Sequence, residues 1–287
     1  MKCLVSGSNG FIGTHLVKRL KNEGYEVIGW DIETGQDVCD SNLAEWSLDA
    51  IFHLACPVDP DNYEKVALPT ALASSLGTYN MLELALKNRA KFLYVSSSDI
   101  YGSSHESFTE DNWGSIDPVG ERSYYGESKR FGEMLTMIYY RNFGLDVRIV
   151  RPFNIYGSGM KYDDSRVISS FFRAIKENKP LKVNDSGNST RTFCYIDDFI
   201  EVLIRTMFYE KTKGEIFNIG TTEDISMYDL AEIMVEKFGG IVEVVKKTRV
   251  GEPRNRKPDI TKAIKLLNWL PTTNLEEGLE EMWKNFQ

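Results

Sequence analysis

The chain has 287 residues, of which 42% are hydrophobic and 26% charged, as is ordinary for a soluble globular protein. The formal net charge of -8 argues against a surface that binds nucleic acid. No apolar segment is long enough to cross a bilayer. The apolar run near the amino terminus covers only residues 3–5 and meets a glycine turn, so it does not resemble a secretory signal. We therefore expect a cytoplasmic protein that binds neither nucleic acid nor a membrane.

The cysteines lack the spacing of metal ligands and are predicted to be reduced packing residues, so no metal site is expected. They are Cys3, Cys39, Cys56 and Cys194.

A glycine-rich turn follows the first predicted strand, at residues 2–5. Gly7, Gly10 and Gly13 are spaced three apart ahead of a helical pattern. Side chains at these positions would keep the backbone away from a pyrophosphate, so the spacing suits a phosphate-binding turn between a strand and a helix. A tight turn that only packs would also use glycine, and the motif alone does not separate the two interpretations.

The next predicted strand, residues 25–30, ends at Asp31, about 20 residues after the glycines. A carboxylate there can accept the hydroxyls of the adenosine ribose and would repel a ribose phosphate, which favours NAD over NADP. His53 lies in a later apolar strand and is predicted to pack or hydrogen-bond rather than catalyse. The alternation of strands and helices predicts an α/β fold, a Rossmann-type doubly wound parallel sheet.

Two groups of polar side chains are candidates for chemistry. Tyr125 and Lys129 lie four residues apart on a predicted helix and so share a face. The ammonium would stabilise the phenolate, which predicts a lowered pKa for Tyr125 and a general base for a sugar or alcohol hydroxyl. Ser97, Ser98 and Asp99 follow a predicted strand, where doubly wound sheets bind ligands. A solvated tyrosine–lysine pair and a serine-rich turn are the alternatives.

The order of these motifs resembles that of the extended short-chain dehydrogenase/reductase family. The motifs are Gly7-x-x-Gly10-x-x-Gly13, Asp31, His53-Leu54-Ala55, the serine run that ends in Tyr101-Gly102, and Tyr125-x-x-x-Lys129. The chain resembles nucleotide-sugar epimerases, dehydratases and decarboxylases from end to end. Segment 111–125 and the run Arg256-Lys257-Pro258-Asp259 are most similar to UDP-glucuronate decarboxylases.

The resemblance implies that Ser97, Tyr125 and Lys129 form the catalytic set. Tyr125 would take the proton from the 4-hydroxyl of the sugar while hydride leaves carbon 4 for NAD. Ser97 would hold the same oxygen, and Lys129 would bind the nicotinamide ribose. The 4-keto glucuronate can then lose its carboxylate, for which the decarboxylases use an acid and an arginine that fall on Asp99 and Arg256.

The resemblance also implies which residues bind the two ligands. The expected cofactor-binding residues are Gly7, Asn9, Gly10, Phe11, Ile12, Gly13, Asp31, Leu54, Ala55, Tyr125 and Lys129. The residues expected to bind a nucleotide-diphosphate sugar, most specifically a UDP-sugar, are Ser98, Asn154, Arg191 and Arg256. A guanidinium is well suited to hold a diphosphate, although a surface salt bridge remains the alternative for Arg191.

Two departures from the decarboxylase pattern leave other reactions open. Gly126 follows Tyr125 where those enzymes carry aspartate, and this pattern is common among 4-epimerases. Asp99 is one methylene shorter than the usual glutamate. The alternative is therefore a 4-epimerase of UDP-glucose or UDP-glucuronate, then a 4,6-dehydratase or a 4-dehydrogenase. A noncatalytic NAD-binding regulator is the alternative from another class.

We expect residues 1–150 to form an NAD-binding domain, with 195–220 returning to its sheet. Residues 151–194 and 221–287 would form a smaller lobe that binds the nucleotide sugar. Within this lobe, two short strands are expected to flank a hairpin-like loop at 184–190.

A homodimer is expected from two predicted helices, near 71–87 and 123–142, which carry apolar residues on more than one side. Relatives commonly dimerise through these helices. The surplus apolar residues include Met134, Leu135, Ile138 and Tyr139.

Overall fold

A parallel sheet lies at the centre of the protein. The computed structural model describes residues 1–40, 46–58, 63–102, 107–121, 123–184, 187–245 and 255–286. Numbered in chain order, the sheet strands are β1 (Lys2–Ser6), β2 (Glu26–Trp30), β3 (Ala50–His53), β4 (Lys91–Val95), β5 (Val147–Pro152) and β10 (Ile216–Ile219). Within the described residues their order is β10-β5-β4-β3-β1-β2, so the winding direction changes between β1 and β3.

Helices cover both faces of this sheet, because alternate strand residues point to opposite sides. Val5 and Phe52 belong to a core that includes Leu16, whereas Leu4 and Ile51 belong to the core of the other face. The predicted α/β doubly wound fold is confirmed. The helices are α1 (Phe11–Asn22) and α6 (Ile196–Phe208) on the first face, with α2 (Tyr63–Leu72), α3 (Thr78–Asn88) and α4 (Ser123–Phe143) on the second.

The helix expected at 71–87 is interrupted, and this part of the prediction is wrong. A π-helical turn, Ala73–Gly77, joins α2 to α3. The turn lies where the backbone packs tightly, since a Cβ on Gly77 would come within 2.6 Å of Val38 Cγ2. Hydrophobic periodicity indicates which face of a helix is buried. It does not reveal a π-helical turn, which differs from an α-helical turn by one additional residue.

In the described part of the chain, the remaining elements form three small sheets and further helices. β8 pairs with β11 and β13, β7 pairs with β12, and β6 pairs with β9. The elements are β6 (Ile155–Tyr156), α5 (Val167–Lys176), β7 (Leu181–Asn184), β8 (Thr190–Thr192), β9 (Cys194–Tyr195), β11 (Asp224–Ser226), α7 (Met227–Phe238), β12 (Val242–Val245), β13 (Asn255–Arg256), α8 (Thr261–Leu267) and α9 (Leu275–Asn285).

The predicted hairpin around 184–190 is wrong, because β7 and β8 belong to different sheets. Leu181 and Val183 are buried in the core that also contains α5 and α7 residues. β7 therefore runs with β12, parallel, along those helices. In the described part of the chain, no helix is both long and apolar enough to cross a membrane.

His53 ties β3 to β1 and α3. Ser6 Oγ accepts the N–H groups of Leu54 and Ala55 at 3.2 and 3.3 Å, so its own proton goes to His53 Nδ1 at 2.7 Å. The ring then carries its proton on Nε2, which donates to Thr78 Oγ1 at 3.1 Å. Thr78 in turn donates to a backbone carbonyl one turn earlier. These bonds confirm the predicted hydrogen-bonding role of His53.

The stability of the fold should depend on pH through His53. Burial, with the charge of Lys129, lowers the pKa of His53 from 6.5 to about 3. Below pH 6.5 His53 therefore binds a proton in the unfolded chain but stays neutral in the folded chain. The free energy of unfolding should then fall by up to about 1.4 kcal/mol per pH unit as the pH decreases. Urea unfolding from about pH 7 to pH 4 should show this slope, and His53→Gln should lose it. Equal slopes in the two proteins would contradict the prediction.

Candidate active site

The glycine turn after β1 is packed so closely that side chains do not fit. Gly7 has a φ of +72°, and a Cβ there would lie 2.9 Å from the backbone nitrogen of Ala55. A Cβ on Gly13 would lie 2.0 Å from the carbonyl oxygen of Gly7. Gly10 is the N-cap of α1 and brings no side chain to the first-turn N–H groups. Such a cradle fits the pyrophosphate of a dinucleotide such as NAD.

Asp31 lies directly beside this turn, at the end of β2. Its Oδ2 accepts the N–H of Asn9 at 2.9 Å, and its Oδ1 accepts the N–H of Glu33 at 3.0 Å. The carboxylate is therefore held at the edge where a ribose next to the pyrophosphate would lie. The structure gathers at this edge Gly7, Asn9, Gly10, Phe11, Ile12, Gly13, Asp31, Leu54 and Ala55.

The turn after β4 and the start of α4 meet at Ser97 and Tyr125. Ser97 Oγ accepts the N–H of Asp99 at 3.1 Å and so caps the short 3-10 helix Ser98–Tyr101. The Ser97 hydroxyl also lies close enough to Tyr125 to lower the pKa of the phenol. The serine and the tyrosine expected to share one sugar oxygen are therefore in contact.

The pKa of Tyr125 is nevertheless raised. Burial is the largest cause, and the nearby Cys56 and Asp99 raise it further. Ser97 and the Arg166 guanidinium lower it by less than these groups raise it. The expectation of a phenol made acidic by its lysine is wrong for this structure, because the desolvation of the half-buried phenol outweighs the cations around it.

Lys129 lies on the same face of α4, as the spacing predicts, but its ammonium has other contacts. Nζ donates to the carbonyl oxygen of Val95 at 2.9 Å and lies 5.1 Å from the centre of the Tyr94 ring. Lys129 is thus held at the end of β4, within the same buried pocket as the turn that carries Ser97.

Asp99 and Arg256 form an ion pair that joins two distant parts of the chain. Arg256 Nη2 lies 2.5 Å from Asp99 Oδ1, and Ser97 Oγ donates to Asp99 Oδ2 at 3.2 Å. The predicted acid and arginine therefore meet beside the predicted catalytic hydroxyl. This arrangement places a cation and a carboxylate next to the group that would hold the sugar oxygen.

Arg191 and Arg256 face the same side of a small sheet. They are register partners in the neighbouring parallel strands β8 and β13, and they are only 7% and 9% exposed. Arg191 is therefore buried and is not a solvated surface residue. Two buried guanidinium groups on one face suit an anion with two phosphates.

The two other predicted substrate residues, Asn154 and Ser98, lie close to these groups in the fold. Asn154 has a φ of +42°, and its Nδ2 donates to the carbonyl oxygen of Thr192 at 2.8 Å. It therefore contacts the strand that carries Arg191. Ser98 is buried and lies in the turn between Ser97 and Asp99.

Three residues near this site were not predicted. Cys56 follows Ala55, and its sulfur lies 3.4 Å from Ser74 Oγ. Because Cys56 directly follows Leu54 and Ala55, which were expected to bind the cofactor, the sequence did indicate that it lies near the site. Arg166 lies over the Phe11 ring, with its guanidinium carbon 5.2 Å from the ring centre. Ile116 packs against the start of α4, and its sequence context gave no signal.

Comparison with known proteins agrees with this geometry. Residues 3–220 match the model of the NAD-dependent epimerase/dehydratase family. The chain belongs to this family. It is 39% identical to UDP-glucuronic acid decarboxylase 6 of Arabidopsis thaliana, over 100% of this chain and 89% of that protein. It is 32% identical to UDP-glucuronic acid decarboxylase 1 of Xenopus tropicalis, over 98% and 70% of the two chains.

Solved structures of epimerases from bacteria superpose on the whole chain. UDP-glucuronic acid 4-epimerase from Bacillus cereus, in complex with UDP-glucuronic acid and NAD, is 30% identical with a TM-score of 0.86, covering 100% and 99% of the chains. UDP-glucose 4-epimerase from Thermotoga maritima, with UDP-glucose, is 28% identical with a TM-score of 0.89, covering 100% and 98%. The expected family, its enzymatic nature and NAD as cofactor are thereby confirmed.

Gly126 should be necessary for the contact between α4 and the catalytic turn. A Cβ there would lie 2.8 Å from Ile116 Cδ1 and 3.1 Å from the carbonyl oxygen of Asp99. Gly126→Ala should displace the turn and lower kcat by about 10- to 100-fold. Alanine favours a helix by about 1 kcal/mol, so a weaker helix would not explain the loss. Initial rates with thermal unfolding as control test this, and an unchanged kcat would contradict it.

Proposed function

We propose that the protein oxidises carbon 4 of a UDP-sugar with NAD and, more specifically, that it decarboxylates UDP-glucuronate. The observation that carries the specific proposal is the Asp99–Arg256 ion pair at 2.5 Å, in contact with Ser97. The decarboxylases of Arabidopsis and Xenopus, similar over nearly the whole chain, support it.

The first step rests on the contact between Ser97 and Tyr125. Tyr125 accepts the proton of the 4-hydroxyl, and Ser97 donates a hydrogen bond to the same oxygen as it becomes a carbonyl. Bound NAD would supply the acceptor for the hydride of carbon 4. Because desolvation raises the pKa of Tyr125, nearby positive charge is what this base requires. Among the described residues, Arg166 contributes such charge at the phenol, and Lys129, held at the end of β4, would bind the cofactor ribose.

The second step uses the chemistry of the product. A 4-keto glucuronate is a β-keto acid, so breaking the bond between carbons 5 and 6 releases carbon dioxide and leaves an enolate on the carbon 4 oxygen. Ser97 and Tyr125 hold that oxygen while a proton from solvent goes to carbon 5. Hydride then returns to carbon 4 and Tyr125 gives its proton back to the oxygen, so the net change is the loss of one carbon dioxide. Arg256 is placed to bind the substrate carboxylate before it leaves, and Asp99 fixes the direction of the guanidinium.

A UDP-sugar 4-epimerase is the second candidate. Gly126 directly follows Tyr125, and the UDP-glucuronic acid 4-epimerase of Bacillus cereus has a TM-score of 0.86 to this chain. An epimerase would return the hydride to the other face of carbon 4. Its product would have the mass of its substrate.

The mass of the product separates the two candidates. Incubation with UDP-glucuronate and NAD should yield a UDP-sugar lighter by one carbon dioxide.

Tyr125→Phe should lower the rate by roughly 10²- to 10⁴-fold, because the general base is lost, while NAD binding remains. Asp99→Asn should slow release of carbon dioxide more than formation of the ketone. A product of unchanged mass with inverted carbon 4 would establish the epimerase instead.

We also propose a homodimer that forms through α2, α3 and α4. Large apolar side chains lie exposed on these helices, spaced along one face of the α2–α3 segment and of α4. Met134 is 47% exposed, whereas Tyr139, expected among the surplus, is only 5% exposed and hydrogen-bonds to Glu83 within the chain. The exposed residues on this face include Leu68, Leu72, Leu76, Tyr79, Phe131 and Met134, while Phe143 lies exposed at the end of α4.

Charges on this face should separate the subunits. Leu72→Glu combined with Met134→Glu should raise the dissociation constant of the dimer by at least about 30-fold, since two buried apolar contacts are lost. Sedimentation at micromolar concentration should show a dimer for the natural chain and a monomer for the variant. Val119→Glu, on an exposed loop outside these helices, is the matched control. A natural chain that is monomeric would end the proposal.

A cytoplasmic location is part of the proposal. Cys3, Cys39, Cys56 and Cys194 are all free, and burial raises the pKa of Cys3 and Cys39 to about 11. Free thiols are typical of a reducing compartment, which supports the location expected from the sequence.

A further inference from the structure

Arg151, in β5, lies beneath the candidate site and is only 6% exposed. Its Nε and Nη2 donate to the two carboxylate oxygens of Glu133 at 2.9 and 2.7 Å. Its Nη1 donates to the Tyr101 hydroxyl at 2.7 Å and to the carbonyl oxygen of Glu110 at 2.9 Å. One buried cation therefore contacts α4, the turn after β4 and the loop that follows this turn.

The bond to Glu133 fixes the catalytic face of α4. Tyr125, Lys129 and Glu133 are spaced four apart, so they lie along one side of the helix. A paired, fork-like contact resists both rotation and sliding of that side. Burial by itself would lower the pKa of Arg151, but its bonds to Glu133 raise it, so the cation stays charged.

The bond to Tyr101 fixes the turn that carries Ser97 and Asp99. Tyr101 is the last residue of that turn, and its hydroxyl donates to Asn218 Oδ1 at 2.8 Å. Its ring stacks on Phe108, with the ring centres 4.7 Å apart. The turn is thus held from below by β5 and β10.

The same network reaches the strand of Arg256. Asn218 Nδ2 donates to the carbonyl oxygen of Phe108 at 2.9 Å. Phe108 N–H donates to the carbonyl oxygen of Lys257 at 2.9 Å, and Asp259 N–H donates to Phe108 O at 2.8 Å. Residues on both sides of Pro258 are therefore tied, through Asn218 and Tyr101, to Arg151.

We propose that Arg151 is a positioning residue for the reaction. Through Glu133 and Tyr101 it sets the separation of α4 from the turn after β4, and so the contact of Ser97 with Tyr125. The inference rests on the proposed function, because it concerns the geometry of that proton transfer. The side chain acts through its neighbours, since its hydrogen bonds go to Glu133, Tyr101 and Glu110.

Arg151→Lys tests the proposal while it keeps the positive charge. Lysine lacks the planar fork, so it does not bond both oxygens of Glu133 and the Tyr101 hydroxyl together. Arg148→Lys is the matched control. Arg148 lies in the same strand, is 1% exposed, and bonds to Asp146 at 3.0 Å and Thr212 at 3.1 Å, away from α4.

We expect Arg151→Lys to lower kcat about 100-fold, with KM changed less than about threefold. The Ser97 hydroxyl lowers the pKa of Tyr125, so moving Ser97 away should shift the limb of kcat that rises with pH to higher pH. Arg148→Lys should lose stability without either effect. Tyr101→Phe should also lower kcat. The fold-loss of kcat in the double variant should be smaller than the product of the fold-losses in the two single variants.

An Arg151→Lys protein that loses activity only as it unfolds, with its pH profile unmoved, would overturn the proposal. Failure of the proposed function has a different signature, because the natural chain would then form no product from UDP-glucuronate. In that case the positioning role can still be tested by titrating Tyr125 with pH in the NAD-loaded protein. The absorbance of tyrosinate is followed, and the Tyr125→Phe variant is subtracted as the blank. An unshifted Tyr125 titration in Arg151→Lys would also overturn it.

Discussion

Partial burial of Tyr125 is the constraint on which the site depends. A phenol that is poorly hydrated holds its proton, and desolvation is the largest cause of the raised pKa of Tyr125. The charges around it determine how far that penalty is offset. Asp99 adds to the penalty, but it is paired with Arg256, so its field at the phenol is partly cancelled. The ion pair thus lets a carboxylate lie beside a base that must lose a proton.

This charge arrangement requires segments that are far apart in the chain to meet within an ångström or so. The parallel sheet brings these segments near one another, because the carboxyl ends of β1, β2, β3 and β4 lie at one edge of the sheet. The sheet does not fix how a helix lies over that edge. Arg151 and its hydrogen bonds supply that further constraint, because they join α4 to the turn beneath it.

The sequence predicted those parts of the site that local spacing determines. The glycine turn, Asp31 and the shared face of Tyr125 and Lys129 follow from intervals of three, about 20 and four residues. Register between distant strands was not predictable in this way. The alignment of Arg191 with Arg256, the ion pair of Arg256 with Asp99, and the separate sheets of β7 and β8 all depend on tertiary packing. The direction of the Tyr125 pKa was wrong because spacing says nothing about burial.

The geometry also bears on how the glycine after Tyr125 is interpreted. A glycine could give a 4-keto sugar room to turn over, as an epimerase requires. In this structure the space that a side chain at Gly126 would fill is already taken by Ile116 and the backbone of Asp99. The glycine thus brings the helix closer to the turn and does not enlarge the pocket. Since Asp99 is shorter than glutamate, a closer turn brings its carboxylate nearer to α4, and Arg256 pairs with it there. Under the proposed function, a cation beside the catalytic turn suits a substrate that carries a carboxylate, which a neutral hexose lacks.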